Sequence, residues 1–282
     1  MHKKKITAGL ILALAIMAGS CTYPFDRIRG TGSATLESVK TKGFHSIHTH
    51  GIVDVDYGPG TSCQVSLEAQ DNLREHIDIY VRDSILVIDV QDGYNLKPTA
   101  NLKAHVTLPD VFSLKSTGTG DMLNTEPFDS LGNFEIITEG TGSIACSWSE
   151  AKNVWIESDG TGTIKASGNC IDLQAETDGT GNIEFAGITG YSSLIVDGTG
   201  DCFYTGNCSF QDVMLNGTGN YYGMDFLSAE AEVTINGSGN AELAVSERLR
   251  AEINGSGDII CSGTPELNLQ TNGTGNFITV SK

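Results

Sequence analysis

The stretch VDGTGDCFYTG, residues 196–206, sets Asp197 before a threonine held between two glycines and Asp201 directly after them. Such a cluster could turn the chain, cradle a phosphate or hold a metal, and its recurrence separates these readings. Gly-Thr-Gly or Gly-Ser-Gly stands at Gly118 and Gly120, Gly140 and Gly142, Gly160 and Gly162, Gly179 and Gly181, Gly198 and Gly200, Gly217 and Gly219, Gly237 and Gly239, Gly255 and Gly257, and Gly273 and Gly275. Successive copies are 22, 20, 19, 19, 19, 20, 18 and 18 residues apart. A phosphate loop occurs once in a domain, whereas self-similarity at a period of this length marks a structural repeat. The dinucleotide pattern also needs a third glycine five residues after the first. Those places hold Leu123, Ala145, Lys165, Glu184, Phe203, Tyr222, Glu242, Ile260 and Ile278.

Aligned on the corner, the repeats alternate in polarity. The residue before the first glycine is Glu139, Asp159, Asp178, Asp197, Asn216, Asn236, Asn254 or Asn272, and three residues earlier comes an apolar one such as Ile136, Leu194 or Val233. Two residues past the second glycine come Ile144, Ile164, Ile183, Cys202, Tyr221, Ala241, Ile259 and Phe277. A period of two on both sides of a glycine turn is a strand pattern. One coil per repeat, stacked in parallel, predicts an all-β fold: a right-handed single-stranded parallel β-helix of about 19 residues per coil over residues 117–282. The corner glycines then read as sharp bends with positive φ, beside Asx residues that tolerate such bends.

The remaining chain divides into a signal at residues 1–20, an anchor and linker at 21–29, and an N-terminal β segment at 30–116. Lys3, Lys4 and Lys5 precede an apolar run from Ile6 to Met17, the layout of a secretory signal. Ala18-Gly19-Ser20-Cys21 resembles a bacterial lipobox, which makes Cys21 the expected lipid attachment point and the outer membrane the expected location. Ordinary cleavage beside an unrelated cysteine is the other reading. The formal net charge is -18, and the repeat region carries it, with 5 basic and 23 acidic residues after Ser116. That balance disfavours nucleic acid and favours cations or basic partners. Cys63, Cys146, Cys170, Cys202, Cys208 and Cys261 form no Cys-x-x-Cys motif and read as buried thiols.

Candidate chemistry is sparse. Asp159, Asp178 and Asp197 share one corner position, and Asp201 lies just beyond it, so hard oxygen ligands for calcium are available there. Turn formation alone accounts for the same residues, and no other cofactor is expected. His45, His48 and His50 offer strand histidines without evident further ligands.

The copies GTGNIEF, GTGDCFY, GSGNAEL, GSGDIIC and GTGNFIT, with RGTGSAT, GFHSIHTHGIVDVDYGPGTSCQVSLEAQDNL and LKAHVTLPDVFSLKSTGTGDM ahead of them, resemble the head GIN domain family of Bacteroidota auto-transporter adhesins. The resemblance implies a β-helix on an exported or lipid-anchored surface protein and brings no catalytic residues. The expected function is non-enzymatic adhesion to an envelope glycan, polymer or protein. A β-helix polysaccharide lyase or hydrolase and a structural spacer are the alternatives. The stretch 276–282 after the last corner, blunted only by Asn276, Thr279, Ser281 and Lys282, is an expected edge for self-association or strand addition, with a frayed last coil as the other reading.

Overall fold

A computed structural model describes residues 26–281; the signal segment and Cys21 lie outside the described residues. The expected β-helix is what forms: parallel stacked coils of about 19 residues make a β-solenoid of about nine turns. The six middle coils of the array are each one long strand, such as Ile164–Thr177, Ile183–Val196 or Cys202–Leu215, joined to the next through a Gly-x-Gly corner, and the coils on either side of them are split in two. The register confirms the alternation read from the sequence. Ile164, Ile183, Cys202, Tyr221 and Ala241 stand in one column, and Ala175, Leu194, Val213, Val233 and Ala251 in another. All are buried, and their side chains meet along the axis of the column. Within this core Phe226 meets Phe185 and Tyr204 edge to face, and Tyr221 meets Tyr204 in the same way.

The stack begins earlier than the glycine motif. Ser46–Thr49 pairs in parallel with Ser113–Ser116, and Asp54–Pro59 with Met122–Asn124, so the ladders cross residue 116 without interruption. His50-Gly51-Ile52-Val53-Asp54 is therefore a first corner, aligned with Thr117-Gly118-Thr119-Gly120-Asp121. Antiparallel pairs close this end: Ala34–Val39 with Gln64–Gln70, Gln64–Gln70 with Lys103–Leu108, and Ile77–Arg82 with Ile85–Val90. A single helical turn, Asp71–Arg74, lies in the same region. At the other end Glu266–Thr271 and Phe277–Val280 each pair on one side only, and Leu267, Leu269, Ile278 and Val280 are exposed.

The reason for the corner glycines differs from the sequence expectation. Positive φ occurs at Gly32, Gly51, Gly93, Gly168, Gly206 and Gly263 among the glycines, and at none of the repeated Gly-x-Gly positions. What those positions require is close approach. A Cβ on Gly198 would stand 2.1 Å from the carbonyl oxygen of Gly179, and one on Gly200 would stand 2.0 Å from that of Gly181. The contact is backbone on backbone, so no rotamer relieves it. Coils are held at this spacing by bonds such as Thr199 N–H to Gly179 O, 2.9 Å.

Gly198→Ala should therefore destabilise the chain by about 1–3 kcal/mol, as overpacking does elsewhere. Gly132 has open space where a Cβ would go. Gly132→Ala is expected to be neutral or to stabilise by about 0.4–1 kcal/mol through the unfolded state. Thermal unfolding of both variants checks this, and equal melting temperatures would remove close approach as the explanation.

Candidate functional site

Two polar columns flank each corner, and the structure gives them different work. The column just past the second glycine closes backbone gaps. Asp54, Asp121, Asn182, Asp201, Asn220, Asn240 and Asp258 each accept, through Oδ1, the backbone N–H of the equivalent residue one coil on, at 2.7–3.0 Å. Asp201 also accepts from Asn220 Nδ2 at 2.9 Å. These side chains stand in for a main-chain acceptor, which is why an Asx follows Gly-x-Gly.

The column before the first glycine is exposed and changes character along its length. Asn272, Asn254, Asn236 and Asn216 form a hydrogen-bonded ladder, each Nδ2 donating to Oδ1 of the coil before, and Asn216 ends it on Asp197 Oδ1 at 2.6 Å. Beyond Asp197 come Asp178, Asp159 and Glu139, which have no amide to pass the ladder on. Lys115 Nζ reaches Glu139 at 2.6 Å. Alternation puts Glu176 and Glu157 on the same outward face, two residues before the corner. One oxygen from each of Glu176, Asp178 and Asp197 lies within 4.8 Å of the others. The three carboxylates the structure gathers are thus not the expected set: Glu176 joins Asp178 and Asp197, while Asp201 serves the backbone. Period-two alternation back from Asp178 would have found Glu176.

The crowding has electrostatic consequences. Partial burial, then Glu157, Asp178 and Glu139, pushes the Asp159 carboxyl up from its ordinary value. Partial burial, then Asp178, Asp197, Glu157 and Asp159, does the same to Glu176. Like charges in neighbouring strands are unfavourable.

Nucleophile chemistry finds little support elsewhere. Burial pushes the thiols of Cys146, Cys202 and Cys208 up to about 12 and that of Cys170 to about 11, and the six described cysteines are unpaired. The histidines are half-buried and separately engaged: His45 stacks on Phe112 with centroids 4.3 Å apart, and His50 Nδ1 meets Thr117 Oγ1. Burial, then Lys115 and His50, lowers the pKa of His48. At the N-terminal end an open groove of about 740 Å³ includes Asp56 and His105, but Asp56 is paired with Lys103 Nζ at 3.0 Å.

A repeat-built stack with polar ladders along its corners and its polar side chains spread over outer columns places the protein in the class of parallel β-solenoids. Residues 43–193 and 191–265 match the family described as "Putative auto-transporter adhesin, head GIN domain", and the chain belongs to that family. Its fold is similar to crystal structures named as adhesins. One from Parabacteroides distasonis has TM-score 0.68 and 18% identity, covering 90% of this chain and 100% of that one. Another from Parabacteroides merdae has TM-score 0.69 and 18% identity, covering 90% and 99%. A Parabacteroides distasonis structure named as a lipid binding protein has TM-score 0.68 and 22% identity, covering 90% and 99%. No curated protein matches the sequence.

Because Asp159 and Glu176 hold protons more tightly folded than unfolded, their contribution to stability is fully present below the ordinary carboxylate range and lost as pH rises through their raised values. The melting temperature should therefore gain from these two groups on acidification from neutral pH toward about pH 5. Glu176→Gln should remove part of that gain and raise neutral-pH stability by about 0.2–1 kcal/mol. A pH profile identical in the variant would refute the assignment.

Proposed function

We propose that this chain is an exported, non-enzymatic adhesion module that binds an envelope glycan, polymer or protein through the outer columns of its solenoid. The observation that supports this reading is the unbroken repeat from Gly118 to Gly275: between these corners no coil carries a long loop, and chemistry recurs along a column instead of converging in one pocket. Family membership supports adhesion and export. Weak contacts repeated at the coil spacing of about 4.8 Å add into avidity when the ligand repeats as well. The stretch Glu139, Asp159, Asp178 and Asp197, flanked by Glu157 and Glu176, is the part of this surface that favours basic groups on the ligand. Attachment is proposed through lipidated Cys21 at the outer membrane, which sets the solenoid beyond the bilayer.

The test is a glycan and envelope-extract binding screen on the chain from Thr22 onward. The variant with Asp159→Asn, Asp178→Asn and Asp197→Asn extends the asparagine ladder already present at Asn216, so it should fold at least as well. Binding of a basic ligand should fall at least tenfold in that variant. Undiminished binding would detach the acidic stretch from function, and turnover of a polysaccharide would replace adhesion by enzymology. Calcium is not required in this reading. A large rise in melting temperature with millimolar calcium, absent in the triple variant, would reassign the stretch to a metal. Cys21→Ser should release the full-length chain from membranes, and unchanged fractionation would rule out the anchor.

A further inference from the structure

Seven buried side-chain polar atoms among the described residues have no hydrogen-bond partner, and five of them are hydroxyls in a single column: Thr49, Ser116, Thr138, Ser158 and Thr177. The register stacks these residues one per coil, Thr49 on Ser116, Ser116 on Thr138, Thr138 on Ser158 and Ser158 on Thr177. Each is at most 3% exposed. A buried hydroxyl without a partner loses its hydration with nothing in return, which is unfavourable. Five together in one line are a built feature rather than an isolated flaw.

Stacked strands stand about 4.8 Å apart. That is too far for one hydroxyl to reach the next, because O–H···O bonds span about 2.5–3.0 Å. It suits a single water between each pair, about 2.8 Å from both oxygens and slightly off the line joining them. Space for it is set by the same corner in later coils, where the column continues as Val196, Leu215, Ile235 and Ile253. A hydroxyl corner and an aliphatic corner meet the wall at the same distance: a Cβ on Gly181 would stand 3.0 Å from Ser158 Oγ, and one on Gly275 would stand 3.0 Å from Ile253 Cγ2. A corner that accepts leucine or isoleucine leaves a serine or threonine with room to spare.

We propose that this column is a water-binding site: a single file of ordered waters interleaved with the five hydroxyls, running beneath the corners from Thr49 to Thr177. Four waters lie between the five hydroxyls: each of the three inner hydroxyls donates to one water and accepts from the other, each end hydroxyl meets one water, and each water retains a second proton for a corner carbonyl. The file is closed by apolar side chains, Ile88 beside Thr49 and Val196 beyond Thr177. Its coils are largely those whose outer corner carries His50, Thr117, Glu139, Asp159 and Asp178 in place of asparagine. The polar half of the solenoid is thus polar inside and out.

A high-resolution crystal structure should show one water between each consecutive pair of hydroxyls. Hydroxyls rotated onto backbone carbonyls, with no density between coils, would overturn the proposal. Stability gives an independent readout. Thr138→Val keeps the shape and breaks the file, so its melting temperature should fall by roughly 2–4 °C. A dry, unpartnered hydroxyl predicts the opposite, a rise on replacement by a methyl group. Two further isosteric changes separate the file from a general tolerance of hydroxyls. Val196→Thr adds a rung beside Thr177 and should be close to neutral, whereas Val233→Thr places a hydroxyl in an aliphatic column and should lower the melting temperature. Equal losses from both would sink the water file.

Discussion

The rest of the structure depends on the backbone contact at the corners. Main chain lies on main chain there so closely that a Cβ on most second-copy glycines would fall 1.9–2.2 Å from a carbonyl oxygen one coil back. Inter-coil hydrogen bonds impose the spacing, and only glycine satisfies it at both places in the motif. Once the corners are pinned one above another, the residues flanking them are fixed in register with their counterparts, and the differences in coil length are absorbed by bulges farther along, as between Gly223 and Leu227. Side chains are then selected by column, and the protein's chemistry is legible only as columns.

That arrangement makes each coil a control for its neighbours. Asn216, Asn236, Asn254 and Asn272 show what the exposed corner column does when it serves stability alone: a continuous amide ladder. Asp159 and Asp178 occupy the same position with the same backbone and forgo it. Partial burial first, and then repulsion among these carboxylates and the adjacent Glu157 and Glu176, raise the pKa values of Asp159 and Glu176. Proteins commonly tolerate stability losses of this kind where activity requires them. The contrast within one molecule is what directs attention to this stretch in the proposed adhesion surface.

Much of this was readable in the sequence because the repeat reports itself nine times. Alternation around Gly-x-Gly gave the strands, the inward columns and the coil length. Four things escaped, each for a physical reason. Glycine's role was assigned to positive φ because a local sequence carries no information about the backbone packed against it. The first corner at Gly51 was hidden because Val53 stands where later copies have their second glycine, at a coil with no full solenoid turn before it. The antiparallel cap depends on pairings between distant segments such as Val39 with Val65, which no local pattern encodes. Glu176 lies outside the repeated Gly-x-Gly motif, two residues before Asp178, and reaches the corner face only through the alternation of its strand.

The columnar grid also bears on how such a surface binds. Long polar side chains usually lose rotamer freedom when a ligand orders them, at roughly 0.5–1.5 kcal/mol each. Here part of that ordering is already done by folding, since Asn216 is held by Asp197 and Asn236, and Asp201 by Asn220. The carboxylates of Asp159 and Asp178 stand on the same grid, at the coil spacing. A flexible ligand with scattered charges gains little from this. A ligand whose basic groups recur near that spacing gains at every rung without ordering the protein again, so the solenoid would select by periodicity where a pocket selects by shape.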